Sequence, residues 1–532
     1  MSSTADPATR PEHPRPVRLG DLTGEDLRLS GDPETLVTGM SLSSQRVLPG
    51  DLYAALPGSR AHGIDYATQA LAAGATALLT DPAGADQADA LELGIPVLVT
   101  ERPRAVLGML AARVYGAPAE RLRMIGVTGT QGKTTTTRLA EGGLEQAGVP
   151  AGVIGTVGTR MLGQDVPTTL TTPEAPDLHG LFARMLEQGV DVCAMEVSSH
   201  ALVMGRVDGV VFDVAVFLNL GRDHLDFHTD IEDYYAAKAS LFTPERARMG
   251  LVCVDDAHGR RLAQEATIPV RTFSVALGPT GGAADDAGPL RADDQAWSRN
   301  ADWRAVDLTL RPDGSDFRIL GPGLGEGLAA HCPLPGDFNV TNTLAAVAAC
   351  AEAGLDPARV AAGIAASGGV PGRLERVSVD ATDEQPTVIV DYAHKPDAVE
   401  AALRTLRPLT SGRVLVVIGA GGDRDTGKRP LMGEIAARLA DVVLITDDNP
   451  RSEDPATIRA AMLEGARAGA GGARVIEVSD GRRAAIQRAV RDAGPEDIVL
   501  IAGKGHETGQ EVRGVVHPFD DRTVAREALL TR

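Results

Sequence analysis

Short apolar runs bounded by glycine or charged residues recur along the chain, separated by Ala-rich stretches of helical character. From Leu36 to about Glu120 the runs are "DLYAAL", "ATALLT" and "IPVLVT", with "YATQALAAG" as a helical interval, which predicts a small α/β domain. Further on, "AGVIGTVG", "VDVCAMEVS", "VFDVAVFLNL" and "MGLVCVD" are apolar almost throughout. Strands apolar on both faces belong to a parallel sheet covered by helices. After the turn-rich "ASGGVPGRLERV", the strands of "TVIVDYAH", "RVLVVIGAGG", "DVVLITDDNP" and "DIVLIAGKGHE" each run directly into polar or glycine-rich residues. A third α/β unit is expected there, with its chemistry at strand C-terminal ends. The expected boundaries are 1–120, 121–366 and 367–532. The Gly-, Ala- and Asp-rich segment from about Leu277 to Asp302 reads as a surface insertion.

Composition narrows the function. A chain of 532 residues exceeds one core, and 52 basic against 72 acidic residues leave a net charge of -20. Broad attraction to nucleic acid or an anionic membrane is not expected, so a polyanionic ligand must be met by local cations. Cys193, Cys253, Cys332 and Cys350 have no paired spacing, which fits a reducing cytoplasm without zinc or disulfides. Residues 1–17, "MSSTADPATRPEHPRPV", read as a loose, disordered tail and not a signal peptide; no run reaches membrane-spanning length.

The strongest chemical signal is "MIGVTGTQGKTTTTRLAEGGLEQAG", from Met124 to Gly148: an apolar strand, a glycine-rich turn, then a helix. Such a turn lets backbone N–H groups converge on an anion at the positive end of the helix dipole. Lys133 can reach terminal phosphates and Thr134 can hold Mg²⁺, although Val127 stands where the strict Walker A spacing has glycine. Glu196, near the end of another apolar run, is placed to accept a cation. "NLGRDHLDFHTDIEDYYAAKASLF" holds Asp223, His224, Asp226 and His228 within six positions, a second cation or acid/base candidate. Lys238, in the same stretch, reads on local sequence as a surface lysine with a snorkelling stem. "GAGGD" lacks the spacing of a dinucleotide-binding turn.

In order along the chain, "GTQGKTT", "EVSSH", "NLGRDHLDFH", "YYAAK", "LPGDFNVTNTLAA", "GRLERV" and "DYAHKPDAV" resemble the motifs of the Mur ligase family, ATP-dependent amide-forming enzymes of peptidoglycan precursor synthesis. The resemblance extends over nearly the whole chain. It implies a three-domain α/β fold with a central P-loop mononucleotide-binding sheet and a C-terminal Rossmann-like domain. The loop Gly129, Thr130, Gln131, Gly132, Lys133, Thr134 and Thr135 would hold ATP phosphates, with Asn339 near the adenine and Arg373 and Asp391 reaching the nucleotide. Two Mg²⁺ sites are implied, one on Thr134 and Glu196, the other on His224 with Lys238 carbamylated by CO₂.

The same resemblance assigns the other substrates. Ser43, Ser44 and Gln45 stand where relatives carry an Asp-Ser-Arg-like turn, leaving Ser44 and the Leu42 backbone for the uridine nucleotide, with Ser59, Arg60 and Ala61. Thr171, Thr172, Ser198 and Arg206 match the sugar and peptide subsite, to which Met204 is also assigned although it and Leu170 stand where some relatives have polar groups. Asp448-Asn449-Pro450-Arg451 looks like the tetrapeptide of the branch that adds diaminopimelate, with Arg424, Gly503 and Glu507 completing that pocket. Arg451 offers a planar fork for a carboxylate. The implied partners are a UDP-linked muramoyl dipeptide and diaminopimelate, acted on by a cytoplasmic monomer without nucleic acid or membrane. A lysine-adding relative, a folylpolyglutamate synthetase-like ligase and a nucleotide-dependent switch are the rival readings.

Overall fold

The computed structural model describes residues 7–221, 223–224, 227–275, 292–379, 385–469 and 471–532. Two compact units emerge, one of Met1–Ser274, Arg291–Arg304 and Leu344–Gly363, the other of Val275–Leu290, Ala305–Thr343 and Ile364–Arg532. The large, mostly parallel sheets expected of an α/β chain are present in both.

Besides the short antiparallel pair Val17–Arg18/Leu36–Val37, two larger sheets carry the first unit. The smaller runs Arg28–Ser30, Val97–Val99, Ala77–Thr80, Asp51–Ala54, Gly39–Ser41, parallel except for its first strand. In the larger, Ala151–Ile154, Val192–Glu196, Arg123–Thr128, Val214–Phe217, Gly250–Cys253 and Val270–Val275 are parallel neighbours in that order. Every residue of Val192–Glu196 and Val214–Phe217 is buried, as strands covered on both faces require. Register sets Glu196 opposite Val127, so this carboxylate stands beside the strand that feeds the glycine turn.

The amino-terminal segment departs from the loose tail expected to Val17. From Pro7 it is placed: Pro7–Thr9 forms a helical turn, and Arg10 is buried against Asp51 at 3.1 Å and against the Tyr115 hydroxyl. Thr9 and the carbonyl of Ala8 bond Asp177 and Arg184 on the helix Ala175–Glu187. A Pro- and Ser-rich composition describes what cannot build a core, yet a buried arginine–carboxylate pair together with bonds to the helix Ala175–Glu187 seats it.

The second unit contains a sheet ordered Glu375–Val377, Thr387–Asp391, Ile498–Ala502, Val414–Ile418, Val442–Ile445, Arg474–Glu477, parallel after the first pair. Apolar clusters cover both faces. Most of the expected insertion lies outside the described residues, but Ala292–Asn300 is helical. Among the described residues no helix is long and apolar enough to cross a membrane.

Candidate active site

Strand Arg123–Thr128 ends in the turn Gly129-Thr130-Gln131-Gly132, and the helix Lys133–Gln146 follows at once. Gly129 and Gly132 have φ of +155° and +87°, backbone that side chains other than glycine rarely adopt. Asn219 braces the turn: its side-chain oxygen accepts from the N–H groups of Thr130 at 3.1 Å and Gln131 at 2.9 Å. This residue drew no separate role from the sequence, since only the neighbouring strand end brings it to the loop. Thr134 and Thr135 begin the helix, both nearly buried.

Lys133 and Lys238 converge on one oxygen. Their ammonium nitrogens donate to the Gly129 carbonyl at 2.7 and 2.9 Å, and Lys133 also reaches Thr130 O at 3.1 Å. Lys238 lies on the helix Ile231–Ala239, is 1% exposed and sits 4.5 Å from the Tyr234 ring centre. The surface reading suggested by its local sequence is therefore corrected. Burial, reinforced by the Lys133 charge and opposed by Asp223, holds its pKa well below the usual lysine value.

Glu196 is 1% exposed, and among the described residues its carboxylate oxygens accept from Thr156 alone, at the N–H (2.8 Å) and the hydroxyl (3.1 Å). Among the described residues no basic side chain pairs with it. A buried carboxylate with spare lone pairs and no cation fits a hard divalent ion, to which Thr134 could add a hydroxyl. The acid/base cluster is only partly assembled. His224, at φ +55°, stands edge-on to His200 with ring centres 4.8 Å apart, and Asp223 Oδ2 lies 3.6 Å from its Nε2. His228 is instead buried between Ser199 at 2.9 Å and Asp233 at 3.2 Å, a helix-packing role. Asp226 lies outside the described residues. Among those described, no three His, Cys, Asp or Glu side chains cluster as a metal site. The implied ligand sets depend on a hydroxyl and a modified lysine.

The expected sugar and peptide subsite gathers around Glu196. Thr172 Oγ1 donates to the Glu196 carbonyl at 2.8 Å and accepts from Ser198 N at 3.3 Å, while Thr171 shares a hydroxyl bond of 3.0 Å with Thr156. Arg206 reaches Thr172 O and Met204 Sδ, with Glu174 Oε1 2.8 Å away. In the smaller sheet, Leu42 and Ser44 follow the strand Gly39–Ser41, and Ser59, Arg60 and Ala61 follow its parallel neighbour Asp51–Ala54. Ser44 bonds Gln69; Ser59 to Ala61 form an exposed loop.

In the second unit Asn339 is 1% exposed; its amide donates to Pro335 O at 2.8 Å and accepts from Asn342, shaping the "LPGDFN" turn. Asp391 ends its strand and accepts from Leu374 N and Ala393 N, both at 2.8 Å; burial raises its pKa against the pull of Arg373. The Arg373 guanidinium lies 4.9 Å from the centre of the Tyr392 ring.

The tetrapeptide Asp448 to Arg451 follows the strand Val442–Ile445, and the hairpin Gly509–Val512/Val515–Pro518 pins it. Gln510 donates to Asp448 O, Glu511 N to Asn449 Oδ1, and Arg451 exchanges backbone bonds with Glu511 and Arg513. Arg451, at φ +51°, donates to Gly422 O at 2.6 Å and stands 3.3 Å from Glu511. Arg424 is exposed on the loop after Val414–Ile418. Gly503 has φ +124°, which L side chains rarely adopt, and a Cβ there would press to 2.5 Å on Asp448 Oδ2. Glu507 bonds both Asn449 and Lys504 through Oε2. The sequence reading passed over Lys504, Gln510 and Glu511, although Lys504 stands inside the quoted "AGKGHE".

The Mur ligase middle domain matches residues 127–350, the Mur ligase glutamate ligase domain 372–505 and the Mur ligase family catalytic domain 36–115. The chain belongs to the Mur ligase family, and so is an ATP-dependent enzyme that forms amide bonds. UDP-N-acetylmuramoyl-L-alanyl-D-glutamate--2,6-diaminopimelate ligase of Streptomyces coelicolor is 52% identical over 528 residues, 98% of this chain and 99% of that protein. The ligase of the same name from Corynebacterium efficiens is 46% identical over 98% of both. A solved structure of a ligase so named superposes with a TM-score of 0.68 at 32% identity, covering 97% of this chain and 99% of the other. Folylpolyglutamate synthase of Mycobacterium tuberculosis shares the fold at 18% identity and a TM-score of 0.55 over 79% of this chain.

Proposed function

We propose that the chain adds diaminopimelate to the D-glutamate side-chain carboxylate of UDP-N-acetylmuramoyl-L-alanyl-D-glutamate, in the cytoplasm and as a monomer. The observation that carries this reading is the 52% identity, end to end, with a relative named for that reaction. In the proposed division of labour, residues 1–120 bind the uridine nucleotide, residues 121–366 bind ATP and residues 367–532 present the incoming amino acid.

The turn Gly129 to Thr135 cradles the ATP phosphates through its backbone, and Lys133 leaves the Gly129 carbonyl to follow the γ-phosphoryl group. Asn339, Arg373 and Asp391 hold the remainder of the nucleotide. That phosphoryl passes to the D-glutamate carboxylate oxygen with release of ADP. The amine of diaminopimelate then attacks the acyl carbon, loses a proton and expels inorganic phosphate. Mg²⁺ at two sites, on Thr134 with Glu196 and on His224 with carbamylated Lys238, would offset charge on the transferring phosphoryl group. The Lys238 amine, depressed in pKa, is the form that attacks CO₂; it loses a proton and becomes a carbamate anion.

Leu42, Ser44, Ser59, Arg60 and Ala61 receive the uridine diphosphate, while Thr171, Thr172, Ser198, Met204 and Arg206 seat the sugar and dipeptide beside Glu196. Arg451 takes the far carboxylate of diaminopimelate, assisted by Arg424, Asp448, Asn449, Pro450 and Gly503, and Glu507 takes an ammonium. A phosphate-release assay with each substrate omitted in turn tests the reading. Release that requires ATP, the uridine-linked dipeptide and diaminopimelate together is expected; equal release without any amino acid would indicate a nucleotide switch.

A further inference from the structure

Lys504 is fully buried, with none of its side chain exposed, beneath two residues assigned to the amino-acid pocket. Its ammonium donates to Asn449 Oδ1 at 3.0 Å and to Glu507 Oε2 at 3.0 Å, and Asn449 Nδ2 closes the ring by donating to the same Oε2 at 2.9 Å. A lysine with no exposure needs a charge partner, and Glu507, 35% exposed, is that partner. Both bonds fall on one carboxylate oxygen. The other, Oε1, has no protein partner among the described residues. A fourth contact, Glu511 N to Asn449 Oδ1 at 3.0 Å, ties the ring to the hairpin.

The geometry points to Lys504 as a positioning residue for the incoming amino acid: it clamps Oε2 of Glu507 and the amide of Asn449, so that Oε1 is held out for the substrate ammonium. This rests on the proposed amino-acid pocket. Arg482, also buried here, is bidentate to Asp521 at 2.7 and 2.6 Å and stands 3.9 Å from Asp448, so Lys504 is the buried cation bonded to Glu507. A lysine present only to fill the core would not need both bonds to meet residues of the pocket.

Lys504→Met keeps the length of the side chain and removes the charge, and Lys504→Gln keeps a donor. For both, KM and kcat are measured for each substrate, alongside amino-acid-independent formation of the acyl phosphate, trapped by borohydride reduction. Losing charge-assisted bonds should raise the KM for diaminopimelate about 10- to 100-fold in Lys504→Met. Lys504→Gln should lie between it and the parent. The KM values for ATP and the uridine substrate, and the yield of trapped acyl phosphate, should stay within about twofold of the parent. Because Lys504 acts through Glu507, Lys504→Met should change little in a Glu507→Gln background.

An unchanged or lowered KM for the amino acid, or a uniform fall in all parameters, would overturn the assignment. So would additivity with Glu507→Gln. If Lys504→Met fails to fold, Lys504→Gln and the cycle built on it decide the matter in the same terms. The ratio of variant to parent is read on whichever amino acid the parent adds, so a wrong substrate assignment shows in the parent alone.

Discussion

A single lysine shows how far burial alters chemistry. In water Lys238 would be an ammonium indifferent to CO₂. Here it sits under Tyr234, beside the Lys133 charge, and its pKa falls because a buried cation near another cation is costly. Lys238→Ala should lower kcat at least about 100-fold while the protein remains folded, with partial recovery on adding small carboxylates that supply the missing anion. Turnover of the parent should also rise with bicarbonate in CO₂-depleted buffer. Normal turnover of Lys238→Ala would remove the carbamate from the mechanism. The surface reading was reasonable from sequence: "EDYYAAKASLF" contains nothing that says which helix face meets the glycine turn. The turn itself was legible, because its glycines and its lysine carry their geometry locally.

At the level of elements, the hairpin Gly509–Pro518 sets the tetrapeptide proposed to receive the amino acid. It bonds the backbone or side chains of Asp448, Asn449 and Arg451, so the tetrapeptide is held in a conformation that puts Arg451 at positive φ. Arg451 is thus oriented in advance by Gly422 O and Glu511. Arg451→Ala should lose about 2 to 5 kcal/mol in kcat/KM for diaminopimelate, with little change in the KM for ATP. Steady-state kinetics with both substrates checks this, and unaltered use of diaminopimelate would remove Arg451 from recognition. The strands before the tetrapeptide and before "AGKGHE" were readable as apolar runs, whereas the hairpin was not. "GQEVRGVVHP" has weak alternation and half-exposed residues, and its pairing with Arg451 spans some sixty positions. The amino-terminal segment was misread for the same reason: Arg10 finds its partner 41 residues away.

Across the whole molecule, the sheets share one arrangement: candidate side chains gather where parallel strands end. Ser44 and Arg60 follow strands of the first sheet, Lys133 follows and Glu196 ends strands of the second, and Asp391 ends while Asp448 and Glu507 follow strands of the third. Apolar runs and the polar residues after them announced this rule along the sequence, which is why the fold class was accessible, whereas Ser44, Arg60, Asp391, Asp448 and Glu507 were singled out by the family resemblance. Side-chain networks across strands were not accessible, because Asn219, Lys504 and Glu511 gain meaning only from neighbours distant in sequence. The central claim concerns which amino acid this architecture accepts. It is tested most directly by offering the parent enzyme ATP, the uridine-linked muramoyl dipeptide and equal concentrations of diaminopimelate and lysine, then weighing the product by mass spectrometry. A site built to bond a carboxylate can reject an analogue lacking it by about 10⁴-fold, so the expected product is the diaminopimelate adduct with no detectable lysine adduct. A comparable yield of the lysine adduct, or no tripeptide product at all, would contradict it.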